Sequence, residues 1–344
     1  MNALLYRGPW QLEESERPEP EPPVGREVVV RIRATGICGT DLGIVTGGYA
    51  AARPPVVLGH ESAGEVVATG DAVESLRIGD RVAIDPTYFC GACRMCRTGR
   101  QNHCQRKSDT ETGVSRDGTF APLYKTEERF LYPLPDRLSF AAASLAEPLS
   151  CALTGVDQVR LRPDLRALIL GAGPLGVLYA HALACRGLGG AVVEISAPRR
   201  GLAQAALPPH WHCRSSLEEA IESLSEDGEI DLAVDTTGLL AAEVLPRLAR
   251  GGQLLTIGLR PTTCAVDMLR VADRSLSIVG SIDSLGTFAA AVDLLGRGLV
   301  PGDRIVTCQH PLEDYRIAFA ELGCDLLART VSAAAGAIKV VLLP

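Results

Sequence analysis

The run Ala167-Leu168-Ile169-Leu170-Gly171-Ala172-Gly173-Pro174-Leu175-Gly176, continued by VLYAHALACRGLG, decides the fold. Four apolar residues read as a short buried strand, the glycines as a tight turn and the rest as a helix. A lone G-x-G-x-x-G is a weak signal, but here a strand precedes it and a helix follows. The next strand, Ala191-Val192-Val193, ends in an acid, Glu194. In that context the run is a dinucleotide fingerprint. Gly171, Gly173 and Gly176, with Pro174 and Leu175 between them, let the backbone approach a pyrophosphate at the positive end of the helix. Glu194 would hold both ribose hydroxyls and repel a 2′-phosphate. Ser196, Arg199 and Arg200 follow it, and arginines there can hold such a phosphate, so NAD is expected and NADP stays open. Residues 230–238, which carry Thr237 into the cofactor-binding set, and 250–258 read as further strand-and-turn units. Helical segments at 217–224 and 239–248 lie between, which suits a parallel sheet.

Upstream the character differs. Residues 28–34, 65–68 and 81–84 are β-rich, with Gly79-Asp80 as a turn, and suggest an antiparallel, barrel-like start. Residues 36–70 read GICGTDLGIVTGGYAAARPPVVLGHESAGEVVATG. Cys38 alone could be a buried thiol in a turn. With His60-Glu61 it offers a thiolate and an imidazole, good zinc ligands, and a third ligand from elsewhere would leave one position open. Cys90, Cys93, Cys96 and Cys104 can wrap a closed tetrahedral zinc, with disulfides or an iron–sulfur cluster as alternatives. His103 beside them reads as a solvated loop residue. Glu147 sits among Ala and Leu, where a carboxylate is costly unless paired or bound to a metal; a helix-end acid is the other reading. The 208–213 segment, PPHWHC, reads as a connecting loop. Cys151, Cys185, Cys264, Cys308 and Cys324 read as buried fillers. Residues 287–299 look helical, and 337–343 an edge-like strand.

The bulk properties set bounds. A chain of 344 residues is long enough for two domains. Its 47% hydrophobic and 22% charged residues suit a soluble enzyme. A net charge of −7 argues against nucleic acid or an anionic membrane as partner. No apolar run could span a bilayer, and the N-terminus lacks a secretory pattern, so a cytoplasmic location is expected. Eleven cysteines in such a chain read as metal ligands and free thiols. Only Lys107, Lys125 and Lys339 are lysines, which argues against a lysine-based mechanism.

The motifs CGTD, GHESAG, the four-cysteine lobe, EPLS, GAGPLG and RGGQLLTIG together resemble the zinc-dependent medium-chain alcohol dehydrogenase family. The similarity runs over essentially the full length and is nearest the sorbitol and threonine dehydrogenase branch. It implies an α/β chain with a GroES-like, barrel-like catalytic domain at residues 1–150 and 295–344. A Rossmann domain, a doubly wound parallel sheet, would fill 151–294, with the active site in the cleft between. It implies two zinc ions per chain. Cys38, His60 and Glu147 would hold the catalytic one, with Glu61 beside it and able to exchange with a water or ligand. Asp41 would accept a hydrogen bond from the His60 ring, and Thr40 would take the substrate proton. Several relatives end their proton relay in a His five residues after the zinc Cys; this chain has Gly43.

The implied reaction moves a hydride between a secondary alcohol (polyol, sugar, cyclitol or amino alcohol) and NAD(P). The substrate-facing segments, 44–49 and 280–283, carry no arginine, which favours a neutral substrate. A homodimer or homotetramer is expected. The alternative is a nucleotide-binding protein of the same fold without turnover.

Overall fold

A computed structural model describes residues 1–333 and 335–344. The chain separates into two compact units. The first comprises Met1–Ser150, Asp283–Ser332 and Lys339–Pro344, and the second Cys151–Ile282 and Ala333–Ile338. The chain thus returns to its first unit at Asp283, ahead of the position 295 expected from sequence.

In the first unit the strand Glu27–Gly36 organises the sheet. It reads EVVVRIRATG, with Val28, Val30 and Ile32 buried and Arg31 and Arg33 exposed. That alternation is the period-2 signature of a half-buried strand. Glu27–Gly36 pairs antiparallel with Glu61–Thr69 and with Leu123–Glu127, and Glu61–Thr69 continues to Arg81–Ile84. Val28, Val30, Ile32, Val66, Val82 and Ile84 close over one core. The C-terminal strand Lys339–Leu343 is not an edge. It lies between Glu27–Gly36 and Val306–Pro311, antiparallel to the first and parallel to the second. Burial of Lys339, Val340, Val341 and Leu342 follows from that interior place.

Glu128 pins the outer loops of this unit. Its carboxylate accepts from the amides of Glu74 (3.0 Å) and Ser75 (3.2 Å), from the Ser75 hydroxyl (2.9 Å) and from Arg26. Burial alone would push its pKa up. The Ser75 and Glu74 donors and Arg26 outweigh that and hold it at about 2, against the ordinary 4.5. A depressed carboxyl stabilises the fold fully above the unfolded value and loses that contribution as pH falls through the folded one. Thermal melts between pH 5 and about pH 2 should therefore fall less steeply in Glu128→Gln than in wild type. Parallel curves for the two proteins would contradict this assignment.

The second unit is a six-stranded, all-parallel sheet in the order Trp211–Arg214, Gly190–Val193, Ala167–Leu170, Ile230–Asp235, Leu248–Thr256, Ser277–Gly280. The order reverses between Ala167–Leu170 and Ile230–Asp235, which is the ligand-binding switch point of doubly wound sheets. Leu168, Leu170, Val193, Ile221, Ala233 and Leu254 belong to its core. Trp211–Arg214, read from sequence as loop, is an outer strand here. The Trp211 indole is buried and donates to the Leu188 carbonyl at 2.9 Å, which anchors the strand despite its Pro-Pro approach.

The five filler cysteines divide. Cys151 and Cys324 are buried, Cys308 is half-buried, and Cys185 and Cys264 are exposed, because their helix-end and loop positions face solvent. Among the described residues no helix is long and apolar enough to cross a membrane.

Candidate metal and cofactor sites

Cys38 precedes the helix Gly39–Thr46, and His60 and Glu61 stand at the start of the strand Glu61–Thr69. The fold joins these segments so that ligand atoms of Cys38, His60 and Glu61 all lie within 4.8 Å of one another. Asp41 helps to fix the arrangement. Its buried carboxylate accepts from the Cys38 amide at 2.8 Å and the Gly59 amide at 3.3 Å, so one side chain ties Cys38 to the residue before His60. It lies 3.8 Å from His60 Nδ1, too far for the hydrogen bond expected from sequence, and that buried nitrogen has no partner.

The electrostatics suit a cation. Burial lowers the His60 pKa, but Asp41, Cys38 and the nearby charge of Glu147 together lift it well above the ordinary value. Burial and the charge of Glu61 push the Cys38 thiol up. A proton shared in such a site is what a metal displaces on binding. Glu147 is half-buried in the first turn of the helix Ala146–Val156. Thr40 follows Cys38 by two residues and is half-buried. Gly43 has a reason in packing: a Cβ there would stand 3.3 Å from Cβ of Tyr49, whose amide donates to the Gly43 carbonyl at 3.0 Å. A side chain at 43 would need Tyr49 to give way by a few tenths of an ångström.

Sequence reasoning missed the partner of Glu61. Lys339, fully buried, donates to Glu61 Oε2 and to the Ile37 carbonyl, the latter at 2.9 Å. Gly36 makes room for this pair, since a Cβ there would meet Lys339 Nζ at 2.9 Å. A lysine inside the apolar run AIKVVLL was the available signal, because a buried ammonium demands a partner.

In the lobe, the sulfurs of Cys90, Cys93, Cys96 and Cys104 also lie within 4.8 Å of one another. The Cys93–Cys96 sulfur separation of 3.4 Å excludes a disulfide, and all four are free thiols. The Cys90, Cys93 and Arg106 amides each donate to a sulfur of this group at 3.4 Å. Backbone donors from Cys96 and Gln105 draw Cys93 down to about 6. Four thiols with amide donors fit a closed tetrahedral metal site. His103 is exposed beside it.

In the second unit, Gly171 adopts φ +93 after the strand Ala167–Leu170, and Gly173 caps the helix Pro174–Ala184 with nothing within 4 Å of a hypothetical Cβ. That open space fits close approach of a pyrophosphate. A Cβ at Gly176 would collide with the Gly171 carbonyl. Pro174 and Leu175 form the first turn of the helix. The Glu194 carboxylate accepts from Ala172 N at 3.2 Å and Ser196 N at 2.8 Å, and pairs with Arg199 at 3.3 Å. The Thr237 hydroxyl donates to buried Asp235 at 2.7 Å, at the end of the strand next to the switch point.

A thiol–imidazole–carboxylate group on one unit and a dinucleotide fold in the other define a metal-dependent dehydrogenase. Comparison with known proteins places it more closely. Residues 25–136 match the alcohol dehydrogenase GroES-like domain family. The chain is 33% identical over 303 residues to sorbitol dehydrogenase of Bacillus subtilis (strain 168), covering 85% of each. A zinc-binding dehydrogenase from Sinorhizobium meliloti 1021, solved with NADP, superposes with TM-score 0.87 at 26% identity, covering 100% of this chain and 99% of the other. A protein described as a short chain alcohol dehydrogenase from E. coli CFT073, solved with NADH, gives TM-score 0.86 at 26% identity, with the same coverage. The chain belongs to the zinc-dependent medium-chain dehydrogenase family, in its sorbitol dehydrogenase-like branch, and is an NAD(P)-dependent oxidoreductase of small-molecule alcohols and ketones.

Proposed function

We propose that this enzyme interconverts a neutral polyhydroxy secondary alcohol and its ketone, with NAD as the preferred hydride acceptor. The observation that carries the reading is the convergence of Cys38, His60 and Glu61 within 4.8 Å, with Glu147 close enough for its charge to act on His60. Relatives named sorbitol dehydrogenase and probable D-xylulose reductase A support the substrate class. They give no support to a silent nucleotide-binding protein. Cys38, His60 and Glu147 would hold the catalytic zinc, and Cys90, Cys93, Cys96 and Cys104 a structural one. Zinc supplies a Lewis acid that favours loss of the alcohol proton. Thr40 relays that proton, taking it up while passing its own hydroxyl proton to solvent, Asp41 holds the Cys38 and Gly59 amides, and Tyr49 packs against Gly43. A bound nicotinamide would supply the acceptor for the C–H hydride, with a ketone as the product. A screen of polyols and cyclitols with NAD and NADP tests the reading; no turnover on any of them would reject it. The enzyme is further proposed to be cytoplasmic and a homodimer or homotetramer; a light-scattering mass of one 36.4 kDa chain would exclude the oligomer.

Cofactor choice rests on Glu194. Gly171, Gly173, Pro174, Leu175, Gly176 and Thr237 would line the dinucleotide, and Glu194 its ribose. Arg199 is neutralised by Glu194 and also donates to the Ala337 carbonyl at 3.0 Å. Removing the carboxylate therefore does two things: it deletes the ribose acceptor and frees a guanidinium. Glu194→Ala should lower kcat/KM for NAD about tenfold, the scale of one charge-assisted hydrogen bond, and raise relative use of NADP. Unchanged NAD kinetics would remove Glu194 from the site.

A further inference from the structure

Two segments of the first unit, one bearing Lys107 and Glu111 and the other Asp283, bring three charged side chains together. Lys107 opens the short helix Lys107–Thr110 that follows the four-cysteine lobe. It donates to Asp283 and lies 3.6 Å from Glu111. All three side chains are about one-fifth exposed (23%, 20% and 23%), so solvent screens the contacts only in part. The segment bearing them is laid against the metal-site loop. Gly118 donates to the Val57 carbonyl at 2.7 Å and Thr119 to the Gly59 carbonyl at 2.9 Å, one residue before His60. Arg53 donates to the Val114 carbonyl at 2.9 Å, which ties the Tyr49 side of the site to the same loop. Tyr49 feels the charges of Glu111, Lys107 and Asp283 as well as that of Cys38, and Glu111 feels that of His60.

Asp283 is held at φ +56, a left-handed conformation that Asp tolerates better than most residues and that costs free energy in any of them. Ser284 beside it lies 3.2 Å from the Thr87 hydroxyl, so the turn is fixed from two sides. One ammonium is therefore shared by two carboxylates. A third carboxyl, Asp85, is pushed up to about 6 by burial, with Asp283 adding to the effect.

Resting on the dehydrogenase reading, we propose that Lys107 is the specificity-determining residue of the substrate site, and that Asp283 and Glu111 hold it so that the site takes uncharged polyhydroxy alcohols and rejects aldonates. An ammonium bonded to carboxylates can still donate to a hydroxyl, and the carboxylates can accept from one. A substrate carboxylate meets instead a cation already neutralised and an excess of negative charge. The cation that could anchor an anion is thus present but occupied.

Removing one carboxylate should cancel the excess negative charge and leave the ammonium with a single partner, so that it can also take a substrate carboxylate. The test measures kcat/KM for D-sorbitol and D-gluconate in wild type, Asp283→Asn, Glu111→Gln and Asp283→Asn/Lys107→Met. Zinc content and thermal melts accompany each protein as checks of folding. Asparagine keeps the tolerance for positive φ, and Glu111→Gln makes the same prediction should Asp283→Asn not fold. Wild type should prefer sorbitol. Either single variant should raise the gluconate-to-sorbitol ratio about tenfold or more, the gain should weaken with added salt, and loss of Lys107 should abolish it. A ratio unchanged within about twofold in both single variants, or a gain that survives Lys107→Met, overturns the proposal while leaving the dehydrogenase reading intact. If wild type turns over no alcohol with either cofactor, that reading falls and the proposal with it.

Discussion

Cys38→Ser is expected to lose one of two bound zinc ions and reduce turnover by on the order of 10³-fold or more, with the fold retained. The size follows from what a Lewis acid contributes to an alcohol oxidation, several kcal/mol of charge stabilisation at about 1.4 kcal/mol per tenfold in rate. Serine keeps the shape of the side chain but offers a hydroxyl where the metal wants a thiolate. The local backbone has no reason to move. The bond from the Cys38 amide to the Asp41 carboxylate, which helps to fix this turn, does not involve the sulfur and survives the substitution. The four sulfurs of the lobe are a separate group and should keep their ion. Elemental analysis of both proteins, with turnover on the best polyol, checks the claim. One zinc in wild type and variant alike would mean that only the lobe is filled, and the catalytic assignment of Cys38, His60 and Glu147 would fail.

What could be read from the sequence was local. The strand, glycine turn and helix of residues 167–184 lie within one segment, so pattern and spacing suffice for them. The same holds for Cys90, Cys93, Cys96 and Cys104, whose ligand atoms gather within one loop. Contacts across the chain were not legible. Lys339 is 278 positions from Glu61, and Lys107 is 176 from Asp283. No periodicity within either segment specifies its partner. The terminal KVVLL run looks like an edge because its other neighbour, Val306–Pro311, joins it in parallel through an intervening crossover. Asp41 shows a subtler gap. The expected link to the His60 ring was reasonable in type, but the carboxylate serves two backbone amides instead. The lysine count was silent on where the lysines pair. Lys107 and Lys339 have carboxylate partners far away in the chain, which a count of lysines could not show.

Lys339→Met should be the most destabilising single change in the first unit, by about 3–5 kcal/mol, because it leaves the Glu61 carboxylate buried without its cation. Lys339 is fully buried and Glu61 is 2% exposed, so water cannot take over. The partner change, Glu61→Gln, strands the ammonium, with only the Ile37 carbonyl at 2.9 Å to compensate, and should cost a similar amount. The double variant Glu61→Gln/Lys339→Met removes both charges and should be much closer to wild type than the two single losses summed, since burying an ion pair gains little over an apolar replacement of like volume. Gly36, which leaves room for the pair, stays compatible with the shorter side chains. Denaturant unfolding of the four metal-loaded proteins gives the coupling energy directly. The same proteins carry a second readout. With the Lys339 ammonium gone, the Glu61 carboxylate, already within 4.8 Å of Cys38 and His60, is free to bind the metal, and cobalt substituted for zinc would report the added oxygen ligand as a weakening of its visible absorption. Additive losses, with an unchanged cobalt spectrum in Lys339→Met, would show that the pair neither stabilises the sheet nor holds Glu61 away from the metal.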